Sequence, residues 1–116
     1  MLLFRKEFVL PIIKGHKRQT RRLSKPRLKV GKVYPCRTNL YRGEPFALIK
    51  VKNIRTQRLS EITEEEARAE GARSREEFLL SFRRIYNLKP SEDPLVWVVE
   101  FELIEVNPNL KRTLGL

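Results

Sequence analysis

A single cysteine, Cys36, and a single histidine, His16, stand in a chain of 116 residues. That scarcity excludes a disulfide framework and leaves too few soft ligands for a structural zinc site, so neither a metal nor a cofactor is expected. Phosphate-binding and dinucleotide-binding glycine patterns are absent too, and no segment repeats. No apolar run reaches the roughly 18 to 20 residues that span a bilayer; the longest are Phe8 to Ile13 and Pro94 to Val99. Arg5 and Lys6 precede the first of these runs, but Pro11 interrupts it and no small-residue cleavage site follows. A secretory signal is therefore not expected, and the chain reads as cytoplasmic. Its length suits one domain with one modest core.

Acidic residues are nearly missing from the first half. Residues 1–58 hold 17 Lys and Arg against only Glu7 and Glu44, whereas residues 59–116 hold 8 basic and 12 acidic side chains. The densest part contains Lys14, Lys17, Arg18, Arg21, Arg22, Lys25, Arg27, Lys29 and Lys32 with no acid among them. Charge runs that only solubilise mix both signs, so this one points to an anionic partner, nucleic acid before all others. A membrane surface fits less well, because no amphipathic helix with a broad apolar face lies in the stretch.

The pattern of residues predicts short strands at Leu2 to Phe4 and Arg18 to Leu23, with a short helix or turn from Glu7 to Lys14 between them. A turn at Val30 to Val33 leads into a strand running to about Asn39, and Tyr41 to Pro45 reverses the chain. Phe46 to Ile54 alternates in part, with Phe46, Leu48, Val51 and Ile54 apolar, as a core strand does. Thr63 stands three residues before Glu66 and Ser74 three before Glu77, the capping-box spacing, so two helices are expected, the first ended by Gly71. Phe78, Leu79, Phe82, Ile85 and Tyr86 form one stripe down the second helix, a core face rather than a platform for stacking bases. A last strand, Leu95 to Val106, has Trp97, Val99, Phe101 and Leu103 on one face, Trp97 among the packed residues. Residues 107–116 show no periodicity and read as a tail. Cys36 reads as a small buried apolar side chain, His16 as a solvated loop residue. The fold class expected is α+β, a small, mostly antiparallel β-barrel with helices packed on it.

Four segments together resemble a known family. Gly15 to Arg22 has the form G-x-K-x-x-T-x-R, followed by Val30-Gly31-Lys32. Leu59 to Gly71 has the form L-x-x-I-T-x-E-x-A-x-x-E-G, and Val96 to Phe101 is similar to a closing strand. In order and spacing these resemble the ASCH family over about residues 1 to 105. The resemblance implies a PUA-like β-barrel over residues 1–106, with 107–116 a C-terminal tail. It further implies a cleft beside the Lys-Thr-Arg segment and a role in RNA binding or RNA metabolism.

One bacterial branch of that family removes the acetyl group from acetylcytidine with a Lys, a Thr and a Glu, which by motif position fall on Lys17, Thr20 and Glu70. In such a reaction Thr20 would be the nucleophile, Lys17 in its neutral form the base, and Glu70 the acid assisting the leaving amine or the group orienting Lys17. Residues 17 and 20 of one regular strand would point to opposite faces, so Lys17 must lie in the loop before the strand for the two to meet. Crowding by Lys14, Arg18, Arg21 and Arg22 would lower the Lys17 pKa, and Glu70 would oppose this. Lys14, Arg18, Arg21, Arg22, Lys25 and Arg27 are the expected RNA and phosphate contacts. A binding module for RNA or a modified nucleoside ranks first, because a free nucleoside has no phosphate to occupy so many cations. The amidohydrolase is the alternative. Ribonuclease action ranks last, since His16 alone cannot supply a paired acid and base.

Overall fold

The computed structural model describes residues 2–38 and 43–115. The expected reversal at Tyr41 to Pro45 and the strand end at Asn39 fall partly or wholly outside them. The chain begins with β1 (Leu2–Leu3), a 3-10 turn (Lys6–Phe8) and α1 (Val9–Ile13), then β2 (Gln19–Arg22), β3 (Val33–Arg37) and the long β4 (Ala47–Arg58). A second 3-10 turn (Leu59–Glu61), α2 (Glu64–Ala69), α3 (Arg75–Ile85), β5 (Leu95–Val106) and α4 (Pro108–Thr113) complete it. No helix of the described residues is long and apolar enough to cross a membrane.

The five strands form one curled sheet in the order β1-β3-β4-β5-β2, antiparallel except for the β1/β3 pair. This corrects the expected barrel: the sheet is a half-barrel, and its edge strands β1 and β2 do not pair. With two residues, β1 is too short to close the ring. What bridges the gap is a side chain, Arg22 of β2 donating from Nη2 to the Leu3 carbonyl at 2.8 Å.

Each face of the sheet serves its own core. Ile49 and Val51 of β4 and Val99 and Phe101 of β5 pack with Leu2, Phe4 and Ile12. On the other side, Val96 and Val98 join Leu59, Ile62 and the α3 residues Phe78, Leu79 and Phe82. Full burial of each such side chain is worth about 1.5–3 kcal/mol, so the alternation along β5 ties both layers to one strand. A bulge moves the register from Val51 opposite Phe101 to Asn53 opposite Glu100, which brings Ile54 opposite Val99 and onto the first core face. The buried positions of β4 are Ala47, Ile49 and Val51, not Leu48, which is half-buried.

Trp97 is corrected as well. It is half-buried rather than packed inside, and the Lys25 ammonium lies 5.6 Å from its ring. The Thr63 capping box is complete, whereas Ser74 caps α3 but Glu77 turns to Arg73 instead of returning to Ser74. The tail is corrected in its structure: Asn107 accepts from the Asn109 N–H, Pro108 takes the first position, and α4 follows with Leu110 against the first core. Cys36 sits fully buried in β3, where burial pushes its thiol up to about 12, and His16 is exposed.

Candidate functional site

Lys17 lies in the connection between α1 and β2, the placement its meeting with Thr20 requires. Gly15 takes a φ of +77° there, and the His16 and Lys17 amides both donate to the Pro11 carbonyl. From the other side, α2 ends at its cap residue Glu70 and the chain turns away through Gly71 at φ +95°. A side chain at Gly71 would be strained at that φ, and its Cβ would meet Lys17 and Pro11 in van der Waals contact at 3.4 Å. The two glycines let these segments approach closely enough for Lys17 and Glu70, 53 residues apart, to meet.

Lys17, Thr20, Arg21 and Glu70 are the buried polar or charged side chains among the described residues, all at most 4% exposed. Lys17 Nζ donates to Glu70 Oε1 at 2.8 Å, to the Glu70 carbonyl at 2.8 Å and to the Gln19 carbonyl at 2.9 Å. Those three acceptors use every N–H of an ammonium. Arg21 is likewise saturated. Its Nη1 donates to Gln19 Oε1 and to Glu70 Oε2, its Nη2 to Gln57 Oε1 and Glu66 Oε2, and its Nε to Gln57 Oε1, all within 2.8–3.2 Å. Every N–H-bearing nitrogen of Arg21 is thus engaged within the protein. Glu70 accepts one cation on each oxygen and keeps lone pairs free on both.

Burial is the largest influence on Lys17 and pushes its pKa below the ordinary lysine value; Glu70 opposes this, and Arg22 and Arg21 add smaller lowering effects. Burial also tends to raise Glu66. Hydrogen bonds from the Thr63 backbone, Arg55 and Gln57, with the Arg21 charge, outweigh it and hold Glu66 at about 2. Glu66 thus does two jobs, completing the α2 capping box and anchoring Arg21 and Arg55.

Thr20 faces away from Arg21, in step with Arg22, as alternation along β2 requires. Its Oγ1 accepts from Arg22 Nε at 3.1 Å, which leaves the hydroxyl proton free to donate; no hydrogen bond joins it to Lys17. Thr20, Lys17, Glu70 and Arg22 line a cavity of about 150 Å³ in the gap between the two edge strands. Arg5 and Arg21 line it as well, and Phe4, Phe8, Phe78, Phe82 and Tyr86 give it an aromatic wall. The α3 stripe is core, as its spacing predicts, and its edge also shapes this cavity. Of the other expected contacts, Lys25 and Arg27 are exposed and line an adjoining groove, while Lys14 and Arg18 are exposed but line neither.

Sequence reasoning missed the anchoring group of Glu66, Gln57, Gln19 and Arg55. The period of two along β2 was the available signal: it turns the Arg21 side chain away from those of Thr20 and Arg22, toward α2 and β4.

A family model for the ASCH domain matches residues 2–105. Among solved structures, the fold is similar to an ASCH domain from Lactobacillus crispatus JV V101, with 18% identity, a TM-score of 0.68, and coverage of 84% of this chain and 70% of that one. A protein of Enterococcus faecalis V583 aligns with 17% identity and a TM-score of 0.72 over 91% of this chain and 72% of that one. An ASCH protein from Zymomonas mobilis aligns with 13% identity and a TM-score of 0.63 over 96% and 75%. At these identities the likeness is one of fold. No curated protein matches the chain.

Proposed function

The chain belongs to the ASCH domain family, and from that membership we propose that it binds RNA, or a nucleoside derived from RNA, by taking one base into the cavity beside Lys17, Thr20 and Glu70. One observation carries this reading: the chain's buried polar and charged side chains, costly to desolvate, gather at one cavity with an aromatic wall. A dry cavity of about 150 Å³ accommodates benzene, so this one suits a single six-membered ring with the sugar left outside. Phe4, Phe8 and Phe82 offer apolar surface to the ring, as single-stranded bases find in RNA-binding sites generally. Glu70 can accept from an exocyclic amino group, and the Thr20 hydroxyl can donate to a ring nitrogen or carbonyl. An amino-bearing base such as cytosine fits that order of acceptor and donor better than uracil does.

Titration calorimetry with cytidine, uridine and a short RNA tests the reading. Cytidine should bind more tightly than uridine, and Glu70→Gln should remove the preference. Absence of saturable binding by every nucleoside and by the RNA would overturn it.

The amidohydrolase is the second reading, favoured by the convergence of Thr20, Lys17 and Glu70 on the same cavity. Thr20 Oγ1 would attack the acetyl carbonyl and pass its proton to neutral Lys17. The C–N bond would then break as the amine leaves with a proton, and water would hydrolyse the acyl ester to release acetate. Burial favours neutral Lys17, while the three acceptors around its Nζ favour the charged form and turn it toward Glu70 rather than Thr20, so binding ranks ahead. Deacetylation of acetylcytidine that disappears in Thr20→Ala would reverse the ranking; turnover absent in both proteins would leave binding alone.

A further inference from the structure

Beside the cavity runs a second hollow, about 530 Å³ in volume, built by the segment from Arg22 to Leu28 that links β2 to β3. Arg22 and Tyr86 line both spaces and so form their common threshold. No acidic side chain lines the groove, and among the described residues neither Lys25 nor Arg27 has an acidic partner. Arg22 uses Nε on Thr20 and one Nη2 hydrogen on Leu3, which leaves N–H groups of its guanidinium for a ligand. Lys25 rests over the Trp97 ring, a contact that holds its ammonium near the groove instead of letting it sweep through solvent.

We infer that this groove is a second subsite, in which Arg22, Lys25 and Arg27 hold the phosphodiester and the adjacent nucleotide of a single-stranded RNA whose base fills the cavity. The inference rests on the base-binding reading above and names its ligand as a nucleotide within a strand rather than a free nucleoside. Size and charge both lead there. The cavity has room for one ring, and the groove, more than three times larger, begins where that ring's sugar must emerge. A free nucleoside would leave three cations unused, whereas a phosphodiester at the Arg22 threshold meets the first of them and a strand continuing along the groove meets the other two. A single strand suits this geometry better than a duplex, because a base in the cavity has left its stack and unstacking costs least where no pairing must be broken.

The experiment compares wild type, Lys25→Ala/Arg27→Ala and Thr20→Ala against cytidine and a cytidine-containing RNA tetranucleotide, by calorimetry across a salt series. Wild type should bind the tetranucleotide at least about tenfold more tightly than cytidine, as the gain from two or three phosphate contacts at low salt. In the double variant that advantage should shrink to what the Arg22 contact alone provides, while cytidine binding stays unchanged. Its log Kd against log salt should flatten by roughly 1.4, two contacts at about 0.7 each for a single strand. Equal affinity of wild type for the two ligands, or an advantage undiminished by the double substitution, would overturn the groove and leave the cavity reading intact. Tetranucleotide binding lost in the double variant, with cytidine not bound and Thr20→Ala without effect, would overturn the cavity and with it the strand path inferred here.

Discussion

Lys17 and Arg21 sit a few residues from Arg22, Lys25 and Arg27, yet the two groups lie in opposite environments. The first pair is buried, with all donors committed to Glu70, Glu66, Gln57 and Gln19; the second group faces two hollows with donors to spare. Equal charges in one basic stretch thus divide into a scaffold and a contact surface. A buried cation is tolerable only when carboxylates and carbonyls replace its water, and once so satisfied it has nothing left for a ligand.

The largest expected effect comes from breaking the buried group. Glu70→Ala leaves Lys17 without a carboxylate in the interior and Arg21 with Glu66 alone, and should cost about 3–5 kcal/mol of stability, read from denaturant unfolding. Replacing Lys17, Arg21 and Glu70 together by Met, Met and Leu should recover most of that loss, because no unpaired charge remains. Failure to recover would mean that packing, not charge, governs the region.

Acid should act on the same scaffold. Glu66 is depressed from 4.5 to about 2, so it contributes stability that is complete above about 4.5 and is lost as pH falls toward 2. Glu66→Gln should flatten the dependence of unfolding free energy on pH in that window. An unaltered slope would remove Glu66 from the scaffold.

A smaller effect is expected at the boundary between the groups. Thr20→Ala removes the acceptor for Arg22 Nε and should cost about 1 kcal/mol in stability while reducing cytidine affinity. Equal stability with undiminished binding would leave Thr20 without a part in the site. Smallest of all, Lys25→Ala should change stability by no more than about 0.5 kcal/mol, as exposed substitutions do. A loss approaching that of Glu70→Ala would dissolve the distinction between scaffold and surface.

Much of this was legible in the residue order. The Thr63 box, the α3 stripe and the Gly71 stop are local devices, and each forms where its spacing predicts. The second half of β4 was harder to read. From Arg55 to Arg58 its side chains are polar, because pairing to β5 and the Glu66 cluster hold it there rather than an apolar face. The α4 helix had one apolar contact, Leu110, too little for a stripe, and its readable signal was Asn107 followed by Pro108.

The resemblance of its motifs to the ASCH family singled out Lys17, Thr20 and Glu70, and composition showed that the first half of the chain is basic. Which cations are buried and which are free followed only from folding. A charge is priced by what surrounds it, and the groups around Lys17 and Arg21 arrive from α2 and β4, segments between 36 and 53 residues away along the chain. The open edge of the sheet belongs to the same class of fact. It depends on β1 stopping after two residues and on Arg22 spanning the gap, and no local pattern records where two distant edges will fail to meet.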